Sequence, residues 1–263
     1  MSRLIIVEGL PCSGKSTVSR YIADRCGARF YDEGSGEHPA DYEFHAYLTK
    51  SEFDGFSANE QALITSKADN TDGGYILPLS GFDGELFEKL LQHKIYDFLP
   101  WEIEKPIMLD KWREFLESAK TDERYVFNCV LLQNPMCETM MRFGLDMKES
   151  ADYIKSICGI ISPLEPLVVY LHSDNIRKLI EKAAPERGEE WLNGVIDYHC
   201  GGAFGRANGL SGFEGYIAAL EERQRREEEI LKGLGVSYIM TVSPQEDKER
   251  AYGDIDRATK DMI

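Results

Sequence analysis

Gly9-Leu10-Pro11-Cys12-Ser13-Gly14-Lys15-Ser16-Thr17 is the stretch that decides the fold, together with the apolar residues 4–7 before it. It fits the pattern Gly, four residues, Gly-Lys-Ser/Thr, between a short strand-like run and a helical segment. Glycines let the backbone approach an anion, and successive N–H groups at a helix N-terminus form a nest for phosphate. A lysine here reaches the terminal phosphates, and the next hydroxyl binds Mg²⁺. The pattern predicts a site for ATP and Mg²⁺, with Ser16 as the metal ligand and the nucleotide held by Gly9, Pro11, Cys12, Ser13, Gly14, Lys15, Ser16 and Thr17.

The bulk composition narrows the class of protein. The chain has 263 residues, 43% of them hydrophobic, and a formal net charge of −16. This length suits one α/β domain with an insertion, and the acidic charge disfavours nucleic acid or an anionic membrane as a partner. No run is long enough to span a bilayer, and the apolar run at residues 4–7 is too short for a signal peptide. We expect a cytoplasmic protein with no nucleic-acid or membrane partner.

The six cysteines are scattered and include no Cys-x-x-Cys pair, which indicates reduced thiols and not a disulfide frame or a zinc site. Cys12 lies inside the phosphate loop, where a positive field is expected to lower the pKa of its thiol. The alternative is a small residue that only fills the loop. The five histidines show no metal-ligand spacing, so no structural metal is expected.

Hydrophobic periodicity predicts strands that alternate with helices, which is typical of a parallel sheet. The predicted strands are residues 4–7, 28–31, 125–132, 167–171 and 236–242. Between the second and third of these we expect an insertion, with a short helix over 41–51 and a strand or extended loop over 75–79. Residues 201–215 carry six glycines and are predicted to form a mobile loop before a charged helix over 213–232.

Two classes of nucleotide-binding protein are disfavoured. The sequence has no Asn-Lys-x-Asp pattern for reading guanine, and its Asp-x-x-Gly, Asp24–Gly27, ends a predicted helix, which argues against a switch GTPase. A motor ATPase would carry an acidic pair at the end of a long apolar strand to hold Mg²⁺ through water. Neither 125–132 nor 167–171 ends in such a pair.

In the phosphate loop and the order of its elements, the chain resembles the P-loop kinase superfamily, in particular the nucleoside- and nucleotide-kinase-like branch. Only the loop is a specific match. The resemblance implies a three-layer P-loop NTPase fold with a central parallel sheet of about five strands and a mostly helical insertion. It also implies a single domain over 1–263, with an acceptor-binding insertion over 35–100 and a lid region over 175–215.

The resemblance suggests catalytic residues besides Lys15. An acidic residue that ends the second strand often serves as the base in this branch, and here that position holds Asp32 and Glu33. Carboxyl ends of neighbouring strands share one crevice, and a carboxylate there can accept the proton of an alcohol. Side chains alternate, so only one of the two is expected to point inward, and Glu33 is preferred.

Lid arginines of this branch match Arg177 and Arg187, with Lys178 and Lys182 nearby. Arg177 could equally be a solvated helix residue. Arg142 is a weaker candidate for contacting substrate. The spacing of Arg223, Arg225 and Arg226 among glutamates predicts helix-surface ion pairs.

One departure from related kinases concerns the third strand, which carries Asn128 where an acidic residue is common. Either Mg²⁺ is held by Ser16, waters and the second-strand carboxylate, or Gln133 and Asn134 at the end of this strand bind substrate. A buried asparagine needs hydrogen-bond partners, so we expect that Asn128 is not inert, and its role is left open.

The insertion is expected to set acceptor specificity. Its aromatic residues either line a pocket for a ring-bearing, hydroxylated acceptor or form the small core of the insertion; they are Tyr42, Phe44, Tyr47, Phe53 and Phe56. The sequence therefore predicts a phosphotransferase that moves the γ-phosphate of ATP to a hydroxyl of a small metabolite such as a nucleoside, sugar or antibiotic. The alternative is a nucleotide-binding regulatory ATPase module without such an acceptor. The oligomeric state is left open, with a homodimer among the options.

Overall fold

A computed structural model describes residues 2–34, 36, 38–71 and 73–262. The strands are β1 (Leu4–Gly9), β2 (Arg29–Tyr31), β3 (His45–Thr49), β4 (Asp69–Asn70), β5 (Gly74–Pro78), β6 (Tyr125–Asn128), β7 (Leu167–His172) and β8 (Ser237–Val242). The α-helices and single helical turns are α1 (Lys15–Cys26), α2 (Lys50–Asp54), α3 (Ala58–Thr65), α4 (Gly84–Leu91), α5 (Ile95–Phe98), α6 (Trp101–Ser118), α7 (Gln133–Met136), α8 (Met147–Ile161), α9 (Ile176–Arg187), α10 (Glu189–Gly201), α11 (Ala203–Ala207), α12 (Gly212–Gly233) and α13 (Lys248–Thr259). A π-helical segment, Cys137–Arg142, follows α7 directly.

The chain divides into two compact units, residues 1–32 with 112–263, and residues 33–111. In the first unit, five parallel strands form a sheet in the order β2-β6-β1-β7-β8. The first strand of the chain is thus the middle strand, and its carboxyl end lies between those of β6 and β7. An open parallel sheet binds its ligands at this switch point.

Helices cover both faces of this sheet. On one face, Ile5 and Val7 of β1 pack with Val18 and Ile22 of α1 and with Ile255 of α13. On the other face, an aromatic cluster joins α6 to β6, with the ring centroids of Phe115 and Phe127 4.8 Å apart. The α/β fold with a central sheet of five parallel strands, predicted from the sequence, is confirmed.

The second unit contains a small antiparallel sheet, β3-β5-β4, beside its helices. The helix predicted over 41–51 is wrong, because His45–Thr49 is a strand and α2 begins only at Lys50. Ala46 and Leu48 fill the core of this unit, whereas Thr49 caps α2 by accepting the N–H of Glu52. Ser35, where the predicted insertion begins, and Glu37 lie outside the described residues.

Two further predictions are wrong. The strand expected over 125–132 ends at Asn128, because Cys129 takes a φ of 70° that no strand continues. Residues 201–215 are largely helical, since they contain α11 and the start of α12. Gly202 and Gly205 are close-packing positions there, where an added Cβ would lie 2.1 Å from the Met141 carbonyl oxygen and 2.2 Å from that of Cys200.

In the described part of the chain, no helix combines the length and the apolar character needed to cross a bilayer.

Candidate active site

The phosphate loop forms at the carboxyl end of β1 and passes directly into α1. Cys12 (φ 66°) and Gly14 (φ 94°) take left-handed conformations, and residues of alternating hand turn successive N–H groups toward one side as a nest. Gly14 is the N-cap of α1, and no side chain among the described residues caps that helix, so its first N–H groups are suited to an anion.

Lys15 lies within this nest. Its side chain is buried, and Nζ donates to the carbonyl oxygen of Leu10 across the loop at 2.9 Å. The loop is further fixed by Ser243, whose hydroxyl donates to the carbonyl oxygen of Ser13 at 2.9 Å. An ammonium group held over a nest of N–H groups is suited to a polyphosphate.

Cys12 does not have the reactive thiol that its position suggested. Burial raises the pKa of Cys12, and the positive charges of Arg187 and Lys15 offset only part of that effect. The expectation of a lowered thiol pKa is therefore wrong. Cys12 instead packs at the edge of an apolar cluster with Leu10 and α12 residues such as Tyr216.

A polar cluster joins the ends of α1, β2 and β6 beside the loop. The Asn128 side chain, 1% exposed, donates through Nδ2 to Asp32 Oδ1 at 2.7 Å and to Ser16 Oγ at 3.1 Å. Asp32 Oδ2 accepts from Arg20 Nη2 at 3.2 Å. The structure thus brings Ser16 and Asp32 together through Asn128, as the sequence analysis expected of a buried asparagine.

Glu33 belongs to the second unit, where its side chain is exposed, and its neighbour Gly34 has a φ of 77°. Asp32 and Glu33 therefore lie where β2 has ended and the chain turns. Strict alternation of side chains no longer applies to them.

The two predicted lid arginines have different surroundings. Arg177 is bound to Glu214 at the start of α12 through both Nη atoms, with Nη1 2.9 Å from Oε1. Arg187, the last residue of α9, is exposed, lies over the ring of Trp191 and forms no ion pair within the described residues. Its positive charge acts on Cys12 of the phosphate loop.

The sequence analysis missed a buried polar network behind the loop. Arg223, 1% exposed, pairs with Glu227 through Nε and Oε1 at 3.0 Å, and Tyr170 donates to Glu227 Oε2 at 2.8 Å. The interpretation of Arg223 as a surface residue is wrong, whereas Arg225 and Arg226 do pair with Glu222 on the helix surface. The i,i+4 spacing of Arg223 and Glu227 is the same in both situations, so spacing alone could not separate them.

Two other residues that the sequence analysis considered for substrate contact, Arg142 and Gln133, form hydrogen bonds within the first unit. Arg142 donates to the buried Glu138 at 2.7 Å, one turn earlier in the π-helical segment. The N–H of Gln133, with those of Leu131 and Leu132, is bound by the carboxylate of Glu8.

Within the second unit, the predicted aromatic residues separate into two groups. Phe53 stacks on Tyr75 with centroids 4.2 Å apart, and both it and Phe56 pack against the apolar core. Tyr42 instead borders a polar region, where Lys111 Nζ lies 4.5 Å from its ring centroid. The core interpretation therefore holds for Phe53 and Phe56.

The same polar region contains buried ionisable groups. His38 Nδ1 accepts the N–H of Ala40 at 3.2 Å, and burial, with a smaller contribution from Lys111, lowers the pKa of His38 to about 3. Asp41 Oδ1 accepts from the hydroxyl of Tyr96 at 2.6 Å. A neutral imidazole and a carboxylate in one buried turn are suited to hydrogen-bonding a polar ligand.

No family model matches the sequence, and no curated protein matches it. Among solved structures, the chain is similar to the YorR protein of Bacillus subtilis in complex with phosphorylated GDP, at 13% identity and a TM-score of 0.46, with 98% of this chain and 95% of that chain covered. It is also similar to deoxyadenosine kinase from M. mycoides with bound dATP (17% identity, TM-score 0.45, 97% and 99% covered). A third is thymidylate kinase from Candida albicans (11% identity, TM-score 0.46, 100% and 94% covered).

Proposed function

We propose that this protein is an ATP-dependent phosphotransferase that moves the γ-phosphate to a hydroxyl of a small metabolite. The observation that carries the proposal is the juxtaposition of the Lys15 phosphate nest with Asp32 at the switch point of the parallel sheet. A nest alone binds a nucleotide, whereas a carboxylate at the same crevice gives the site a group that can handle a metal ion or an acceptor proton.

Each element has a defined contribution. Loop N–H groups and the Lys15 ammonium stabilise the negative charge of the transferring phosphoryl group. Arg187 supplies an exposed cation at the end of α9, which offsets charge on the equatorial oxygens when it approaches them. Asp32 or Glu33 orients the acceptor hydroxyl and takes its proton.

The residues present fit Mg²⁺, which prefers oxygen ligands and keeps several waters. Ser16 Oγ and the Asp32 carboxylate are both oxygen donors, and both contact the same Asn128 nitrogen. Bound Mg²⁺ would neutralise charge on the β- and γ-phosphates.

The acceptor is expected to bind to residues of the second unit. His38, Asp41 and Tyr96 carry polar groups there that hold protein partners in this structure, and Tyr42 carries an aromatic ring. Polar groups next to an aromatic ring suit a hydroxylated, ring-bearing molecule, with a nucleoside as the simplest case and a sugar or an antibiotic as further members of the class.

The test is release of ADP from ATP-Mg²⁺ by the purified protein in the presence of a library of nucleosides, sugars and aminoglycosides. We expect at least one acceptor to stimulate ADP release more than tenfold, and the Lys15→Ala variant to abolish that stimulation. Lys148→Ala, which removes an exposed lysine paired with Asp152, is the matched control and should retain full activity.

A regulatory ATPase module is the second candidate. Asn128 favours it, because related kinases commonly carry a carboxylate at this position and this chain carries an amide. Tight binding of ATP-Mg²⁺ with no stimulation by any acceptor in the library would favour the regulator and overturn the transferase proposal.

A further inference from the structure

Asn128 is held at both ends of its side-chain amide. Nδ2 donates to Asp32 and Ser16, while Oδ1 accepts from the thiol of Cys129 at 2.9 Å. Asp32 as a carboxylate can only accept, so the NH₂ end of the amide has to face it. The orientation of the amide is therefore determined by its neighbours.

The backbone after β6 supports this arrangement. Cys129, fully buried, has a φ of 70°, which turns the chain out of the strand and brings its thiol back onto Asn128. A left-handed conformation costs a residue with a side chain about 1–2 kcal/mol. The turn at Cys129 is thus a specific feature that fixes the buried amide.

Asp32 is held on the side of Ser16. One carboxylate oxygen is bound to Asn128 and the other to Arg20, and the same Asn128 nitrogen also contacts Ser16 Oγ in the first turn of α1. A carboxylate has about four lone-pair sites on its two oxygens, so it can accept from metal-bound water while it is also bound to protein donors.

A neutral residue at 128 is what makes a single carboxylate effective here. An aspartate at this position would lie within hydrogen-bonding distance of Asp32, and two carboxylates that close share a proton or repel. Asparagine donates a hydrogen bond instead and leaves the full negative charge on Asp32.

We propose that Asp32 is the carboxylate that holds metal-bound water beside Ser16, and that Asn128 is the positioning residue that directs it there, which leaves the acceptor proton to Glu33. This assignment rests on the proposed function at one point, which is that a divalent ion binds together with the nucleotide. It gives the metal role to Asp32 and the base role to Glu33, whereas the sequence alone does not decide between the two residues.

The experiment measures Mn²⁺ affinity by electron paramagnetic resonance in the presence of a non-hydrolysable ATP analogue, so no acceptor or turnover is needed. Asp32→Asn should weaken Mn²⁺ binding at least tenfold, and Asn128→Ala several-fold. The exchanged double variant Asp32→Asn/Asn128→Asp restores one amide and one carboxylate, and should return the affinity to within about threefold of the wild type. Asp152→Asn, an exposed site on α8, and Glu33→Gln should both leave it unchanged.

The outcomes separate the two proposals. If the wild type binds the analogue but Asp32→Asn leaves Mn²⁺ affinity unchanged, the assignment of Asp32 is wrong and the transferase proposal stands. If the exchanged variant folds, by circular dichroism and thermal melting, yet stays as weak as Asp32→Asn, the positioning role of Asn128 is wrong. If the wild type binds no analogue, both proposals fail.

Discussion

The carboxylate of Glu8 accepts the backbone N–H of Leu131 at 2.7 Å, so the last side chain of β1 before the phosphate loop is tied to the segment that follows β6. The N–H groups of Leu132 and Gln133 bind the same carboxylate at 3.0 Å each. Glu8 is fully buried, and burial raises its pKa to about 7 in spite of these hydrogen bonds, with the nearby charge of Glu227 adding to the rise. One ionisable group thus connects the two strand ends that form the site.

This group makes stability depend on pH. A carboxyl with a higher pKa in the folded than in the unfolded chain binds more protons when folded, so its contribution is present below about 4.5 and is lost as the pH rises through about 7. Glu8→Gln cannot ionise, and its NH₂ group faces one of the three N–H donors, which costs about 1–3 kcal/mol. We expect the variant to be less stable at pH 5 and the difference to shrink toward pH 8, with a slope of at most about 1.4 kcal/mol per pH unit.

Urea denaturation at pH 5, 6, 7 and 8 measures this difference, with the exposed Glu229→Gln as control. Parallel stability profiles for wild type and Glu8→Gln would contradict the elevated pKa.

Gly9 is required for a close approach as well as for its backbone conformation. Its φ is 144°, and a Cβ there would lie 2.6 Å from the carbonyl oxygen of Leu171 on the neighbouring strand. A Cβ added at Gly27, whose φ is 59°, would have no described atom within 4 Å. Gly27→Ala should therefore cost only about 1–2 kcal/mol, whereas Gly9→Ala should cost more and weaken ATP binding at least tenfold. Thermal melting and titration with a fluorescent ATP analogue measure both, and equal effects of the two substitutions would refute the steric argument.

The sequence was sufficient for the phosphate loop and the parallel sheet of the first unit because their signals are local. A four-residue apolar run, a glycine-rich loop and a helix start at Lys15 have few alternative structures, and the parallel sheet follows from strands that alternate with helices. That Asn128 would have hydrogen-bond partners was also foreseeable, because a buried asparagine has to find them, but its role was not. Its partners, Ser16 and Asp32, are 112 and 96 residues away, and that pairing is set by strand order.

The second unit and α12 were less predictable for a physical reason. His45–Thr49 is a five-residue strand whose apolar residues also fit a helical turn, and its partner β5 decides between the two. Arg223 carries the same local signal as Arg225, but only the folded structure shows that it is buried, with Glu227 bound to Tyr170 of β7 beside it. The local sequence therefore does not separate strand from helix at 45–49, nor a buried arginine from an exposed one in α12.

Removal of the buried arginine should be costly. Arg223→Leu leaves Glu227, 0% exposed, without its cation, and breaking a buried pair in this way costs about 3–5 kcal/mol. Arg225→Ala breaks exposed pairs with Glu222 and Glu229 and should cost less than about 1 kcal/mol. The double variant Arg223→Leu/Glu227→Leu should recover most of the loss. Urea denaturation gives the free energies of unfolding, and a double variant no more stable than Arg223→Leu would contradict the pairing.

The two lid arginines should differ in their effect on turnover. Arg187 is exposed on the side of Cys12, whereas Arg177 is bound to Glu214 at the surface. Arg187→Ala should lower kcat at least tenfold with little change in the Kd of ATP, because a lid cation acts mainly on the charge of the transition state. Arg177→Ala should lower kcat less than threefold. Steady-state kinetics with the best acceptor measure both, and the reverse order would exclude Arg187 as the lid residue.

Substitution of Glu33 provides the sharpest test of which residue takes the proton of the acceptor hydroxyl. In the proposed assignment, Asp32 holds metal-bound water and Glu33, the next residue after the end of β2, accepts the acceptor proton. Glu33→Gln keeps the size of the side chain and removes its basicity, so kcat should fall by about 10²–10⁴-fold. The Kd of ATP and the thermal melting temperature should stay close to the wild type, since Glu33 is exposed and lies outside the phosphate loop. A matched substitution in the second unit, the exposed Glu88→Gln on α4, should retain full turnover. Near-normal kcat for Glu33→Gln would remove Glu33 as the base, and an equally near-normal value for Asp32→Asn would remove both carboxylates from the proton-transfer step.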